Sequence, residues 1–491
     1  MPSPHGWVYG VSAKALPPGR LTPIQKNKPV RLQHPNPRPR HQPKPVSNTT
    51  QTASLPRQLY TMTWPMLFGV LSLMTFQLAD SAFIGQLGRD PLAALGFTLP
   101  MHQLIIGLQV GLGIATTAII SRTLGTGDEL RAFRLGGLVV TVGSALVFIL
   151  CIGLWLLQSP IMTALGAEDA LLPLVRSYWI PWLFSAWIGA FLYFGYSICR
   201  SHGNTKLPGY MMVATSLSNI ALDPLYIFVF DWGLPGAAWA TATSFGVGCL
   251  FIYPKLLKRG WARFDLRELA LGRALKQLNN IMAPAMVSQL MPPASAMLAT
   301  AMVAGFGSAA VAAWGLGTRL EFFSIVVVLA LTMSMPPMIG RMLGAGDIEQ
   351  IRTLVRLAVR FVVIWQLAIG LLWLIASGLV SELFSSDQQV QDLLGAYLVR
   401  VPLSYSGLGV CMLMVSVCNA LGLAMRALLV STLRLFLCFL PLLWLGSQLD
   451  GIYGLMSGAL VGNLLAGIMA YSFYRTGMKQ LRENGGNSGK A

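Results

Sequence analysis

Charge is scarce in this chain. Asp, Glu, Lys and Arg make up 11% of its 491 residues, against about a quarter of an ordinary soluble domain, while 54% are hydrophobic. Histidine is scarcer still. Only His102 and His202 fall in the apolar region, and neither has an acid or cysteine at ligand spacing, which excludes a membrane metalloenzyme and leaves no metal site to assign. No GxxxxGK[ST] phosphate loop occurs, so the chain does not power itself with ATP. The six cysteines lie inside apolar runs without a CxxC pair and read as packing residues.

What is present is a series of long apolar runs and a net charge of +17. The charge sits in a few polar segments. Residues 1–57 hold nine Lys and Arg and no acid, the 255–276 loop holds seven against two acids, and the segment from Arg475 holds four against one. Basic residues gathered between apolar runs are what membrane orientation requires, and they argue against nucleic acid as a partner. Residues 1–57, rich in Pro, Lys and Arg, read as a disordered cytoplasmic tail. Twelve apolar runs follow, from about 58–84 to 452–474, and the Lys and Arg alternate from loop to loop so that both termini face the cytoplasm. The expected organisation is a lobe over 58–257, a basic linker over 258–277, a second lobe over 278–474 and a tail over 475–491.

The two lobes read as one unit repeated. Placing Pro65 on Pro284, an offset of 219 residues, sets Gly88, Ala93, Ala94 and Gly96 on Gly307, Ala312, Ala313 and Gly315. It also sets Arg122, Leu124, Gly125, Gly127 and Asp128 on Arg341, Leu343, Gly344, Gly346 and Asp347. Tyr178 meets Tyr397 in the same register. After a one-residue slip, Gly233 meets Gly451. Six spans per lobe is an even number, so the lobes share one orientation: an all-α polytopic fold of 12 transmembrane helices in two six-helix bundles, related by a pseudo-twofold axis along the membrane normal.

Within this frame a few polar residues stand out. Asp80 lies 16 residues beyond Trp64 and Asp223 lies 16 beyond Leu207, so both carboxylates sit about 24 Å up helices running in the same direction. A carboxylate inside a span costs roughly 2.5–3.5 kcal/mol even on the lenient insertion scale, and such residues mark transport or proton paths. Asn219 shares a helix face with Asp223 one turn away, and Pro224 follows at once, freeing a carbonyl. Two acids together in low dielectric favour retaining a proton at one of them; the same oxygens could ligate sodium. His102 and Glu321 exchange places in the repeat. For His102 the plain alternative to proton shuttling is packing, and for Glu321 it is a structural ion pair with Arg319, Arg400 or Arg434.

The stretch D-x-x-F-I-G-x-L-G-x-x-x-L-A-A-L-G from Asp80, the loop RTLGTGD from Arg122, its twin RMLGAGD from Arg341 and G-x-x-G-A-A-x-A-T from Gly233 resemble the multidrug and toxic compound extrusion (MATE) family. The GTRLE stretch at Gly317–Glu321 is similar to its DinF-like branch. The resemblance spans about residues 58–475. It implies an efflux antiporter of the inner (plasma) membrane, not an enzyme, that expels bulky, often cationic or amphipathic drug-like molecules on an inward flow of protons or sodium ions and needs no cofactor. It also implies that Asp80, Asp223, Asn219 and Thr241 line the cavity of the coupling cation, although a membrane-helix threonine commonly bonds its own helix instead. Where the sodium-coupled branch carries acids on its seventh helix, this chain has MVSQLMPPASAML, which moves the expectation toward protons through Asp80. The rivals are sodium coupling at the same cluster, a flippase for lipid-linked precursors and a non-transporting membrane receptor. A monomer is expected.

Overall fold

The computed structural model describes residues 54–164, 171–265 and 269–487. Most of the expected N-terminal tail, the loop acids Glu168 and Asp169, and the middle of the linker lie outside the described residues. Those described are all-helical, without a strand. We number the crossings α1 (Leu55–Gln86), α2 (Arg89–Gly125), α3 (Glu129–Leu156), α4 (Leu172–Ser201), α5 (Lys206–Val229) and α6 (Gly233–Lys258). The second lobe follows as α7 (Leu271–Ala304), α8 (Ser308–Ser324 and Val326–Gly344), α9 (Ile348–Phe384), α10 (Gln388–Ala420), α11 (424–449) and α12 (452–487). The last two form one continuous run broken at Asp450 and Gly451, whose φ angles are −144° and 56°.

Two boundaries differ from expectation. Helix α1 begins at Leu55, because Ser54 and Pro56 supply a start signal inside the supposed tail. At the other end α12 does not stop at 474 but runs to Asn487, since the segment after Tyr474 holds helix-forming Lys, Gln, Leu, Arg and Glu and no proline.

Backbone geometry repeats with the sequence. Asp128 and Asp347 cap α3 and α9 in the same way, accepting from Arg131 N at 3.1 Å and Gln350 N at 3.2 Å. The preceding glycines, Gly127 and Gly346, adopt φ of 82° and 80°, and Gly203 and Gly422 both adopt 77°. Each lobe buries two apolar clusters, one around Tyr196 and Ile252 or Met414 and Tyr474, the other around Trp179 and Val147 or Tyr397 and Leu455. Outward, Ile149, Leu250, Ile375 and Leu379 are largely exposed, a surface that suits lipid rather than water.

The lobes meet through α1, α2, α7 and α8. Their contacts run from the end carrying the Arg122 and Arg341 loops, here called the basic end, to about mid-span, where Gly107 packs on Leu290 and Gly111 on Met286. Nearer the basic end, the Thr63 and Ser334 hydroxyls bond at 2.8 Å between α1 and α8. At the loops themselves, Gly125 and Gly344 press backbone to backbone. A Cβ on Gly125 would lie 2.3 Å from Arg341 O, and one on Gly344 would lie 2.1 Å from Arg122 O. That reciprocity marks the pseudo-twofold axis.

Candidate functional site

Helix α5 positions the best candidate site. Pro224 lacks an N–H and closes the regular part of the helix, and the chain continues as a π-helical turn over Leu225–Val229. Just before it, Asp223 has no exposed surface and Asn219 is 1% exposed. With the amide oriented to satisfy both neighbours, Asn219 Nδ2 donates to Asp223 Oδ2 at 3.0 Å. Its Oδ1 accepts from the Thr241 hydroxyl on α6 at 3.0 Å and from the Thr241 N–H at 3.1 Å. Thr241 Oγ1 is also 3.1 Å from Ala237 O, so its single hydroxyl proton is shared between its own helix and the cluster.

Asp80 enters from α1 and lies within electrostatic reach of Asp223. Oδ1 of Asp80 and Oδ1 of Asp223 are both buried without a hydrogen-bond partner. Two partnerless acceptor oxygens on neighbouring acids form a site short of donors or of a cation, and oxygen donors of this kind hold a proton or a hard cation. The structure thus brings together all four residues singled out for the first lobe. It adds Tyr178 of α4, 5% exposed and within electrostatic reach of both carboxylates. Its sequence signal was the register shared with Tyr397, which marked a repeat and said nothing of a role.

The two secondary candidates lie elsewhere. His102 on α2 has a buried, partnerless Nδ1 and sits 6.3 Å from the Trp182 ring. Glu321 on α8 accepts from the Tyr397 hydroxyl at 3.3 Å. The ion pair considered for it does not form: among the described residues no arginine comes within salt-bridge distance of Glu321. Arg434 acts on it only through the field, and Arg400 turns instead to Ala396 O and the Tyr453 ring. One turn beyond Glu321, α8 is interrupted at Ile325, where Gln366 Nε2 donates to Ser324 O at 3.2 Å and Trp373 Nε1 donates to Ser324 Oγ at 2.8 Å.

Known proteins agree with this architecture. The MatE family profile matches twice, over residues 65–225 and 284–445, two stretches whose starts are the repeat offset apart. A curated relative, the FAD transporter of Shewanella oneidensis, is 33% identical over 86% of this chain and 94% of its own length. The multidrug export protein MepA of Staphylococcus aureus is 24% identical over 83% of this chain and 90% of its length. Among solved structures, the MATE transporter VcmN of Vibrio cholerae in its bent form is 53% identical with a TM-score of 0.85, covering 87% of this chain and 98% of that one. With both lobes matched and the fold shared from α1 to α12, the chain is a membrane transporter and belongs to the MATE family.

Proposed function

We propose that the chain is a proton-coupled efflux antiporter for amphipathic and cationic drug-like compounds, working as a monomer in the inner membrane with both termini in the cytoplasm. The observation that carries this is the carboxylate pair Asp80 and Asp223, whose buried, partnerless oxygens occur in one lobe, while Ala299 stands at the repeat position of Asp80. On this reading the lobes, joined at the basic end, face outward. Asp80 and Asp223 accept a proton from outside, the bonds through Asn219 to α6 rearrange, and the bound compound leaves. The lobes then rock open toward the cytoplasm, where the proton departs and new cargo loads. Coupling requires that the two conformations hold the proton with different affinity.

The test is efflux from proteoliposomes under separately imposed proton and sodium gradients. A proton gradient alone should drive export of a fluorescent cation, and Asp80→Asn should abolish it while leaving the amount of protein in the membrane unchanged. Near-normal export by that variant would sink the mechanism, and dependence on sodium alone would transfer the same residues to sodium coupling. A second reading of the cargo rests on the Shewanella oneidensis relative, which matches more closely than the drug exporters do: the substrate would be a flavin dinucleotide. Competition between FAD and the fluorescent cation in the same vesicles separates the two.

A further inference from the structure

The repeat has left its two lobes with unequal grooves at the basic end. In the first lobe, α6 ends at Lys258, the chain turns at Gly260 with φ 69°, and the linker folds back into the groove between α3 and α6. The fit is close. A Cβ on Gly136 would lie 2.3 Å from Trp261 O, a Cβ on Gly137 would lie 1.9 Å from Arg263 O, and Arg263 N donates to Phe133 O at 2.9 Å. The linker fills that groove with its own backbone.

In the second lobe the corresponding groove, between α9 and α12, is open. Helix α12 does not turn at Met478, the repeat position of Gly260, but runs on to Asn487. A cleft of about 270 Å³ remains. The lining has changed with it: Phe133, Gly137, Leu257 and Trp261 are matched by Arg352, Arg356, Arg475 and Lys479, so every one of the four positions has become a cation. Spaced four residues apart on each helix, they present two basic pairs to one cleft. One acid is present, Glu349, and it pairs with Arg352 at 3.4 Å. The other three cations have no carboxylate within salt-bridge distance among the described residues. The floor is apolar, with Tyr474 5% and Met478 2% exposed. Down the same two helices, the exposed Phe361, Ile364 and Ile468 continue as bilayer-facing surface.

A basic rim over an apolar floor, opening onto lipid-facing side chains at the end of two helices, fits an anionic amphiphile. Guanidinium groups in pairs suit phosphate oxygens. The chain's own N-terminal segment, with nine Lys and Arg and no acid over residues 1–57, has the wrong charge to cover it. We propose that this cleft binds the phosphodiester headgroup of an anionic phospholipid from the adjoining leaflet, in the place where the first lobe docks its linker.

The test uses the full-length protein and native mass spectrometry, with phosphatidylglycerol, cardiolipin or phosphatidylcholine as the added lipid. The wild type should retain the two anionic lipids and not the zwitterionic one. The double variant Arg356→Gln/Lys479→Gln should lose retention roughly thirty-fold, and Lys255→Gln/Lys258→Gln, which removes the same charge outside the cleft, should not. An unchanged melting temperature in phosphatidylcholine nanodiscs shows that the cleft variant folds; if it does not fold, Arg356→Lys/Lys479→Gln, which removes one of the two charges, should lose retention about five-fold. Equal retention by cleft variant and wild type, equal loss in the control variant, or displacement of the lipid by millimolar inorganic phosphate would each overturn the assignment.

Discussion

Asp223 is fully buried, and one of its oxygens is held by the Asn219 amide while the other has no partner. Asn219 therefore does two things at once: it anchors Asp223 and ties α5 to α6 through Thr241. Asn219→Ala removes both and leaves a buried acceptor unsatisfied, at about 1–3 kcal/mol. The expected outcome is a melting temperature several degrees lower together with reduced export, whereas Asp80→Asn should lose export without that thermal shift, read by thermal scanning and vesicle transport on the same preparations. Tyr178→Phe should lower export without abolishing it, because the phenol lies within electrostatic reach of both carboxylates and makes no hydrogen bond to either. Much of this site was legible in the residues. Acids at matched depth inside apolar runs need partners, and helical spacing put Asn219 beside Asp223. Tyr178 was not legible, because a tyrosine in a membrane helix serves packing as readily as chemistry, and only the approach of α4 to α1 and α5 separates the two.

Helix existence follows from apolar length, but where a helix breaks or what docks on it depends on neighbours. The interruption of α8 at Ile325 has no proline or glycine to announce it; beside it the buried Ser324 carbonyl is satisfied by Gln366, a residue over forty positions away. The linker is similar. His202, at the end of α4, stacks on Trp261 at 4.5 Å and Phe133 at 5.7 Å and bonds Ile198 O at 2.9 Å. Nothing in the linker's sequence required Gly136 and Gly137 to receive its carbonyls. Gly137→Val should expel it, since the new side chain begins 1.9 Å from Arg263 O; limited trypsin digestion should then cut after Arg259 and Arg263 several-fold faster than in the wild type. Burial, offset in part by the Ile198 bond and reinforced by Arg341, pushes the His202 imidazole down to about 4. The folded state thus favours the neutral ring while the unfolded chain takes up a proton near pH 6.5. Stability contributed by His202 is complete above that pH and is lost as pH falls from about 6.5 toward 4. In a thermal scan across that window, His202→Phe should flatten the decline; an unaltered slope would show that the ring does not titrate against folding.

At the scale of the whole molecule, the contacts that close the basic end are arranged symmetrically about the axis between the lobes. Gly125 and Gly344 meet at the axis, and each lobe's loop arginine crosses it: the Arg341 guanidinium lies against Gly203 of the first lobe, and Arg122 reaches toward Gly422 of the second. Because the two halves of the latch are copies, a change in one loop is felt in both lobes. A side chain at Gly125 would meet the Arg341 carbonyl at 2.3 Å and Gly344 Cα at 2.9 Å, both rigid backbone, so the closed arrangement must loosen while a state with the lobes parted there is unaffected. Overpacking of this kind costs roughly 1–3 kcal/mol, which moves an equilibrium between closed and open by about 5- to 150-fold. Gly125→Val should therefore populate the state open at the basic end. The readout is Ser334→Cys, a position that is buried at the α1–α8 contact with Thr63, in a background whose six native cysteines are replaced. An impermeant maleimide applied from the basic end should label it slowly with glycine at 125 and at least several-fold faster with valine, while export falls for want of a stable closed state. Equal labelling in the two backgrounds would mean that the glycine contact does not hold the lobes together, and that closure belongs to the packing of α2 on α7 instead.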